Sequence, residues 1–411
     1  MVGKGEEPVF GKSVLYISGS FGLGHVNRDL AIATELRRLH PGVQLTWLAA
    51  EPASTVLRQA GEALAPEADS LGDDTAAAEA SAEGQRLNLM LYTWKARTQW
   101  IENVRAYTSL IHRQAFELVI ADEAYEIAVA MMLRPKLRVA PFAMIYDFVG
   151  FDPMSMNPFD RLATYFWNWV WSRDAQLSHK HQQLFLFVGE LEDIPDRSLG
   201  HGLPNRRQHA RQHYHPVGYI LPFDPATLAD RAGLRHRLGY GNEPLIVCSI
   251  GGTAIGKDLL ELCGRTYPLL RNRLPQLRML LATGPRLAPE SLNVPVGVEV
   301  VGFVPRLYEH LAASDLAVVQ GGGTITLELT ALRRPFLFFP REGDFEQEVA
   351  VAGRLARHGA GVRMAYSRTT PEMLAEQALA NLGKTVGHPT IPVDGARKAA
   401  ELIGKLLASG P

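Results

Sequence analysis

A short apolar run that breaks into glycines and then into a helical repeat occurs twice in this chain of 411 residues. Residues 13–18 (SVLYIS) run into Gly19-Ser-Phe-Gly-Leu-Gly24-His25, and residues 27–39 then return Leu30, Ile32, Ala33 and Leu36 at helical spacing. Residues 245–250 (LIVCSI) run into Gly251-Gly252-Thr253, and residues 258–270 repeat the pattern. Each unit reads as strand, glycine turn, helix. A second strand at 44–50 (QLTWLAA) follows the first helix closely, so the two strands are expected to be parallel in a βαβ unit. No short-period repeat is visible, which predicts two α/β domains rather than a solenoid. The length agrees, being too great for one ordinary core.

Further strands are expected at 116–122, 139–145, 185–188 and 215–219 in the first half. In the second they are expected at 278–282, 298–301, 316–319 and 336–339. Residues 66–85, rich in Ala, Glu and Asp, read as an exposed loop, and 86–114 as a long helix. The expected organisation is an N-terminal domain over 1–221, a proline-bearing linker over 222–243 and a C-terminal domain over 244–391. An amphipathic helix within 392–411 would pack back on the first domain.

Forty-two Lys and Arg against 43 Asp and Glu give a net charge of −1, which argues against a general nucleic-acid binder. Two cysteines, Cys248 and Cys263, cannot build a disulfide framework or a four-ligand zinc site. Both sit in apolar runs and read as small buried hydrophobes. The first twelve residues show no secretory leader pattern, and no apolar run reaches membrane-spanning length. The expected compartment is the cytosol.

A glycine turn feeding a helix start exposes backbone N–H groups and the positive end of the helix dipole, which suits a phosphate. Gly19-x-x-Gly22-x-Gly24 does not follow the dinucleotide fingerprint, although Glu51 stands where such a fold places its ribose acid. A tight turn explains the same glycines without a ligand. The second half is richer, with a strand, Gly321-Gly322-Gly323-Thr324, and a helix carrying Thr326 and Glu328. Glu328 lies one turn in, where it can accept both hydroxyls of a ribose or merely favour the helix dipole.

In a fixed order come Gly24-His25-x-x-Arg28 with Ala31-x-Ala33-x-Glu35-Leu36, Gly251-Gly252-Thr253, Gly302-Phe303-Val304-Pro305, Gly321–Thr324 with Glu328, and Pro340-x-x-x-Asp344-x-x-Gln347. Together they resemble the GT-B glycosyltransferases, in particular the MurG-like and UDP-glycosyltransferase-like families. The resemblance implies two Rossmann-like domains facing each other across a cleft. It also implies a nucleotide-diphosphate sugar (UDP or TDP) held mostly by the second domain. The base would lie near Phe303 and Val304, the ribose at Glu328, and the pyrophosphate at Gly252, Thr253 and Gly321 through Thr324. The sugar hydroxyls would meet Asp344, Glu346 and Gln347; MurG-type relatives usually carry two adjacent glutamines where this chain has Glu346-Gln347. Gly24 would line the cleft from the acceptor side.

Transfer with inversion needs a general base for the acceptor hydroxyl and stabilisation of the departing diphosphate. No Asp-x-Asp pair occurs, so no metal site and no cofactor are expected, and helix starts would carry the diphosphate. His25 follows the first glycine turn, and Asp122 ends a strand at the same sheet edge. The pair is expected as base and orienter, with Glu123 the rival orienter; purely structural capping by both is the alternative. Tyr165-Phe-Trp-Asn-Trp-Val-Trp171, flanked by Arg161, Arg173 and Lys180, reads as core, acceptor pocket or peripheral membrane contact. The expected partners are the nucleotide-sugar donor and a small-molecule or lipid-linked acceptor. The activity expected is an inverting, metal-independent hexosyltransferase. Its alternatives are a non-hydrolysing UDP-sugar 2-epimerase, a dinucleotide-dependent oxidoreductase and a non-catalytic nucleotide-sugar binder.

Overall fold

The computed structural model describes residues 11–19, 21–177 and 183–409. Lys180, one of the cations flanking the aromatic stretch, lies outside the described residues. The first half holds a six-stranded sheet of β1 (Ser13–Ile17), β2 (Gln44–Leu48), β3 (Leu118–Asp122), β4 (Phe142–Tyr146), β5 (Gln183–Val188) and β6 (His215–Gly218). Its order is β2-β1-β3-β4-β5-β6, parallel throughout. The second half holds β7 (Leu245–Ser249), β8 (Arg278–Ala282), β9 (Glu299–Val301), β10 (Leu316–Gln320), β11 (Phe336–Phe339) and β12 (Val362–Arg363). Their order, β9-β8-β7-β10-β11-β12, is again parallel. β3, β7 and β10 are buried end to end, because helices cover both faces and leave no solvated side to alternate toward.

The helices that matter for the site are α1 (Gly24–Leu39), α2 (Leu89–Arg113), α3 (Pro158–Leu177), α4 (Lys257–Arg271), α5 (Gly323–Ala331) and α6 (Gly395–Ser409). In α6, Ala399, Ala400, Ile403 and Leu407 are buried with Ile32 and Leu36 of α1 in the core of the first half. The chain therefore crosses back after finishing the second sheet. Residues 222–243 contribute Leu228, Leu234 and Tyr240 to the core beside Leu245 and Val247 of β7. Among the described residues no helix is long and apolar enough to cross a membrane.

Two sequence expectations need correction. Residues 66–85 are not an exposed loop: they include a helix, Asp74–Glu79, and begin a two-stranded hairpin, Ala82–Glu83 with Arg86–Leu87. Thr75 and Ala78 are fully buried, and Ala78 and Leu87 pack with Ile255 of the other half. The stretch needs few apolar residues because the second half supplies part of its cover. The strand expected at 139–145 starts at Phe142, with Val139 exposed and Pro141, which lacks an N–H, just before it.

In each sheet the strand order reverses between two neighbours, β1 and β3 in the first and β7 and β10 in the second. Connections leave these neighbours toward opposite sides, which opens a crevice at the carboxyl ends. The two crevices face one another. A Cβ on Gly24 would lie 2.3 Å from the Thr324 hydroxyl, and one on Gly252 would lie 2.8 Å from the Leu23 nitrogen. These glycines are required by the close approach of the opposite half, a Thr324 side chain at Gly24 and the 22–23 backbone at Gly252. Gly22 and Gly251, with φ of +74° and +80°, are required by the turns themselves.

Candidate active site

His25 is the second residue of α1, and its ring lies over Gly19, where a Cβ would come within 3.1 Å of Cγ. Its Nδ1 is 3.0 Å from Oδ2 of Asp122, the last residue of β3, although 97 positions separate them. Asp122 is fully buried and also binds Arg28, whose Nε donates to Oδ2 at 2.9 Å. The remaining guanidinium nitrogens of Arg28 pair with Asp122 Oδ1 and with Asp147, just beyond β4. Arg28 sits three residues after His25 on the same helix face, which is how both reach one carboxylate.

Nδ1 of His25 is also 2.8 Å from Nη2 of Arg28. Protonated Nδ1 donates to Asp122 and leaves Nε2 with a lone pair; bare Nδ1 accepts from Arg28 and puts the proton on Nε2. Burial disfavours the imidazolium, but Asp122 and then Glu123 outweigh burial and Arg28, pushing His25 up to about 10. That balance selects the Asp122-bound arrangement. Burial works against the Asp122 carboxylate as well, yet Arg28 and His25 hold it well below the usual range. Beneath the pair, Asp29 accepts from Tyr16 Oη at 3.0 Å and Ser18 Oγ at 2.6 Å, locking the start of α1 to β1.

Glu123 stands next to Asp122 with φ of +49°, and its Oε1 accepts from the Asp147 N–H at 3.1 Å. Burial and the neighbouring Asp147 push its carboxyl up to about 7. Ligand atoms of His25, Glu123 and Asp147 lie within 4.8 Å of one another, a grouping able to hold a metal ion. The Arg28 guanidinium, paired with Asp147, already supplies a positive charge beside it. Glu346 faces this group from the second half. Burial and Asp344, with Asp147 and Glu123 behind, push its carboxyl up to about 8.

On the second half, Gly321, Gly322 and the start of α5 follow β10, and Glu328 lies in the middle of α5, buried, its carboxyl making no hydrogen bond or ion pair with a described residue. Burial alone pushes its carboxyl up to about 8. Asp344 and Gln347 each accept a hydrogen bond from their own loop through a side-chain oxygen. Asp344 Oδ1 accepts from the Glu346 N–H at 3.0 Å, and Gln347 Oε1 accepts from the Arg341 N–H at 2.9 Å. Glu346 opens a π-helical turn, Glu346–Val351, which redirects side chains into the cleft. Thr253 is buried, Phe303 is exposed and Val304 half-buried just past β9. Glu51 is spent at its own helix, accepting from Thr55 Oγ1 at 2.7 Å and from Arg58 at 2.8 Å. It therefore does not wait for a dinucleotide ribose.

The aromatic stretch divides. Trp171 points inward against Tyr125, Tyr146, Phe148 and Phe151, and Phe345 of the second half caps Phe148 with ring centroids 4.8 Å apart. Phe159, Leu162, Phe166 and Trp169 point outward on the opposite face of α3. A cavity between the halves is lined by Asp147, Phe148, Gly323, Phe345, Glu346 and Arg354. The role of Arg28 and the position of Asp147 were missed in the sequence. Both carried a signal: Arg28 by its i+3 spacing from His25, and Asp147 by directly following the strand next to that of Asp122.

Two parallel sheets meeting at the carboxyl ends of their strands make this a GT-B glycosyltransferase fold. The structure of the glycosyltransferase of kitacinnamycin superposes with a TM-score of 0.60 at 16% identity, covering 98% of this chain and 96% of that one. The spinosyn rhamnosyltransferase SpnG complexed with thymidine diphosphate gives a TM-score of 0.51 at 15% identity, covering 97% of each chain. Within that fold, residues 246–385 match the family model Glycosyltransferase family 28 C-terminal domain. A UDP-N-acetylglucosamine–N-acetylmuramyl-(pentapeptide) pyrophosphoryl-undecaprenol N-acetylglucosamine transferase of Carboxydothermus hydrogenoformans is 31% identical over 116 residues. That alignment covers 27% of this chain and 31% of the relative, so the match spans about a third of the relative's length.

Proposed function

We propose that the protein is an inverting glycosyltransferase that moves a hexose-type sugar from a UDP or TDP donor to an acceptor hydroxyl without a metal. The observation that carries this reading is the His25–Asp122 pair at the carboxyl edge of the first sheet, opposite the glycine turn and Glu328 of the second. The acceptor hydroxyl oxygen bonds to the anomeric carbon while the bond from that carbon to the diphosphate oxygen breaks. The electron pair leaves with the diphosphate, and the hydroxyl proton passes to Nε2 of His25. Asp122 stabilises the imidazolium so formed. The N–H groups at the start of α5 receive the departing charge, and buried Glu328 accepts from the ribose hydroxyls. Glu346 then lies nearer the sugar than Asp344 and Gln347, whose groups are engaged within their loop.

The acceptor is read as a small or lipid-linked hydroxyl compound entering beside Phe148 and Phe345. The outward face of α3, with Arg173 5.8 Å from the Trp169 ring, is read as a peripheral membrane contact that brings such an acceptor to the cleft. Calorimetry with UDP, TDP and their sugars, followed by mass analysis of products with a panel of acceptors, tests the reading. Binding of NAD or FAD in place of UDP or TDP would sink it. A second reading, epimerisation of the bound sugar, is favoured by the raised carboxyls of Glu123 and Glu346 flanking one site. A sugar returned as its C2 epimer, with no acceptor consumed, would establish that reading instead.

A further inference from the structure

Glu79, at the end of the helix Asp74–Glu79 in the first half, reaches across to the second. Its Oε1 accepts from the Ala254 N–H at 2.7 Å and from Nε of Arg286 at 2.9 Å. Its Oε2 accepts from Nη2 of the same guanidinium at 2.9 Å, and Nη1 donates to Asp73 at 2.9 Å. Ala254 belongs to the glycine turn that follows β7, and Arg286 to the turn that follows β8. The two turns touch, since a Cβ on Gly284 would lie 2.2 Å from the Gly251 carbonyl oxygen. A backbone N–H and a guanidinium fork thus converge on one carboxylate, the arrangement that binds a phosphoryl group as readily.

We propose that Ala254 N–H and Arg286 form an anion site for the donor's diphosphate, and that Glu79 occupies it until the donor arrives. The inference rests on the transferase reading above. Arg286 is only partly buried, with its side chain 21% exposed, so an incoming phosphate can reach it. A chain without an Asp-x-Asp pair has need of such a cation, because helix starts alone carry only partial charges. Glu79 and Asp73 would then serve as internal competitors. Their release of Arg286 would also loosen the segment 73–87, which is tied to the second half by the Leu87 N–H to the Glu342 carbonyl at 2.9 Å. Donor binding and rearrangement of that segment are therefore one coupled event.

Calorimetric titration of UDP and TDP into the full chain and four variants tests this. Arg286→Ala should weaken diphosphate binding at least tenfold and UMP binding less. Glu79→Gln keeps an acceptor for the Ala254 N–H but releases the guanidinium, and should tighten UDP binding about three- to tenfold. Asp73→Asn should act in the same direction, more weakly, while leaving the helix cap intact. The double variant Glu79→Gln with Arg286→Ala should bind like Arg286→Ala alone, which separates release of the guanidinium from general loosening. Wild-type binding with no gain in Glu79→Gln, or a gain that persists without Arg286, overturns the inference and leaves the transferase reading standing. Failure of the wild type to bind any nucleoside diphosphate overturns both.

Discussion

Nδ1 of His25 lies 3.0 Å from Oδ2 of Asp122, and the same carboxylate is shared with Arg28. The imidazole therefore faces an anion and a cation at once, and its basicity is set by which of them prevails.

The first prediction concerns pH. A general base must be deprotonated, and His25 is pushed up to about 10, so only a small fraction is competent at neutral pH. The kcat/KM profile should climb steadily through the range from about 7 to 9, above the ordinary histidine value near 6.5. Asp122→Asn should shift that climb toward lower pH, because the stabilising charge is gone. A plateau above pH 7 in the wild type would show that Arg28 dominates the ring. The stability sign follows the same pKa. A raised histidine stabilises the fold below about 6.5 and loses that contribution as pH rises toward 10.

His25→Ala should lower kcat by about 10²–10⁴-fold, the usual contribution of a positioned base, with donor affinity near wild type. Asp122→Asn should reproduce part of the loss. If His25→Ala instead abolishes UDP-sugar binding while turnover per bound complex is unchanged, His25 is a residue of the phosphate turn.

Glu328→Ala should weaken UDP or TDP binding by about 1.5–3 kcal/mol, the range for hydrogen bonds to a charged group. Burial pushes this carboxyl up to about 8, so ionising it in the empty site costs stability. A raised carboxyl pKa means stability present at low pH and lost as pH rises through about 8. Glu328→Gln should accordingly melt like wild type near pH 5 and at a higher temperature above pH 8. Equal melting at both pH values would mean that the carboxylate has a counter-charge.

Chelation tests the absence of a metal step. Activity should survive EDTA, since Arg28 already supplies positive charge beside His25, Glu123 and Asp147. Loss with EDTA and recovery with Mg²⁺ or Mn²⁺ would assign the metal to that grouping.

The outward face of α3 can be read with vesicles. Phe159 and Leu162 are 72% and 66% exposed, and burying such a side chain is worth about 1.5–3 kcal/mol. Leu162→Ser with Phe166→Ser should reduce co-sedimentation with phosphatidylserine vesicles about tenfold or more, without changing UDP affinity. Unchanged sedimentation would assign the face to something other than lipid.

Local pattern determined a good deal by itself. The two strand–glycine–helix openings and the carboxyl-edge positions of His25 and Asp122 were legible because strand, turn and helix are written in neighbouring residues. The apolar runs of β3, β7 and β10 announced buried parallel strands for the same reason. Only the tertiary structure decided what crosses between elements. Asp122 is shared with Arg28, Asp147 completes the cluster, and Glu79 grips Arg286 across 207 positions of chain. None of these leaves a periodic trace. The segment 66–85 looked too polar to be buried because its cover comes from Ile255 and its neighbours in the other half. Gly24 and Gly252 read in the sequence as parts of tight or ligand-lining turns, whereas each is glycine because a backbone or hydroxyl of the opposite half fills the place of its side chain. Composition and spacing specify elements; the pairing of charges and the exclusion of Cβ atoms depend on how two finished domains dock.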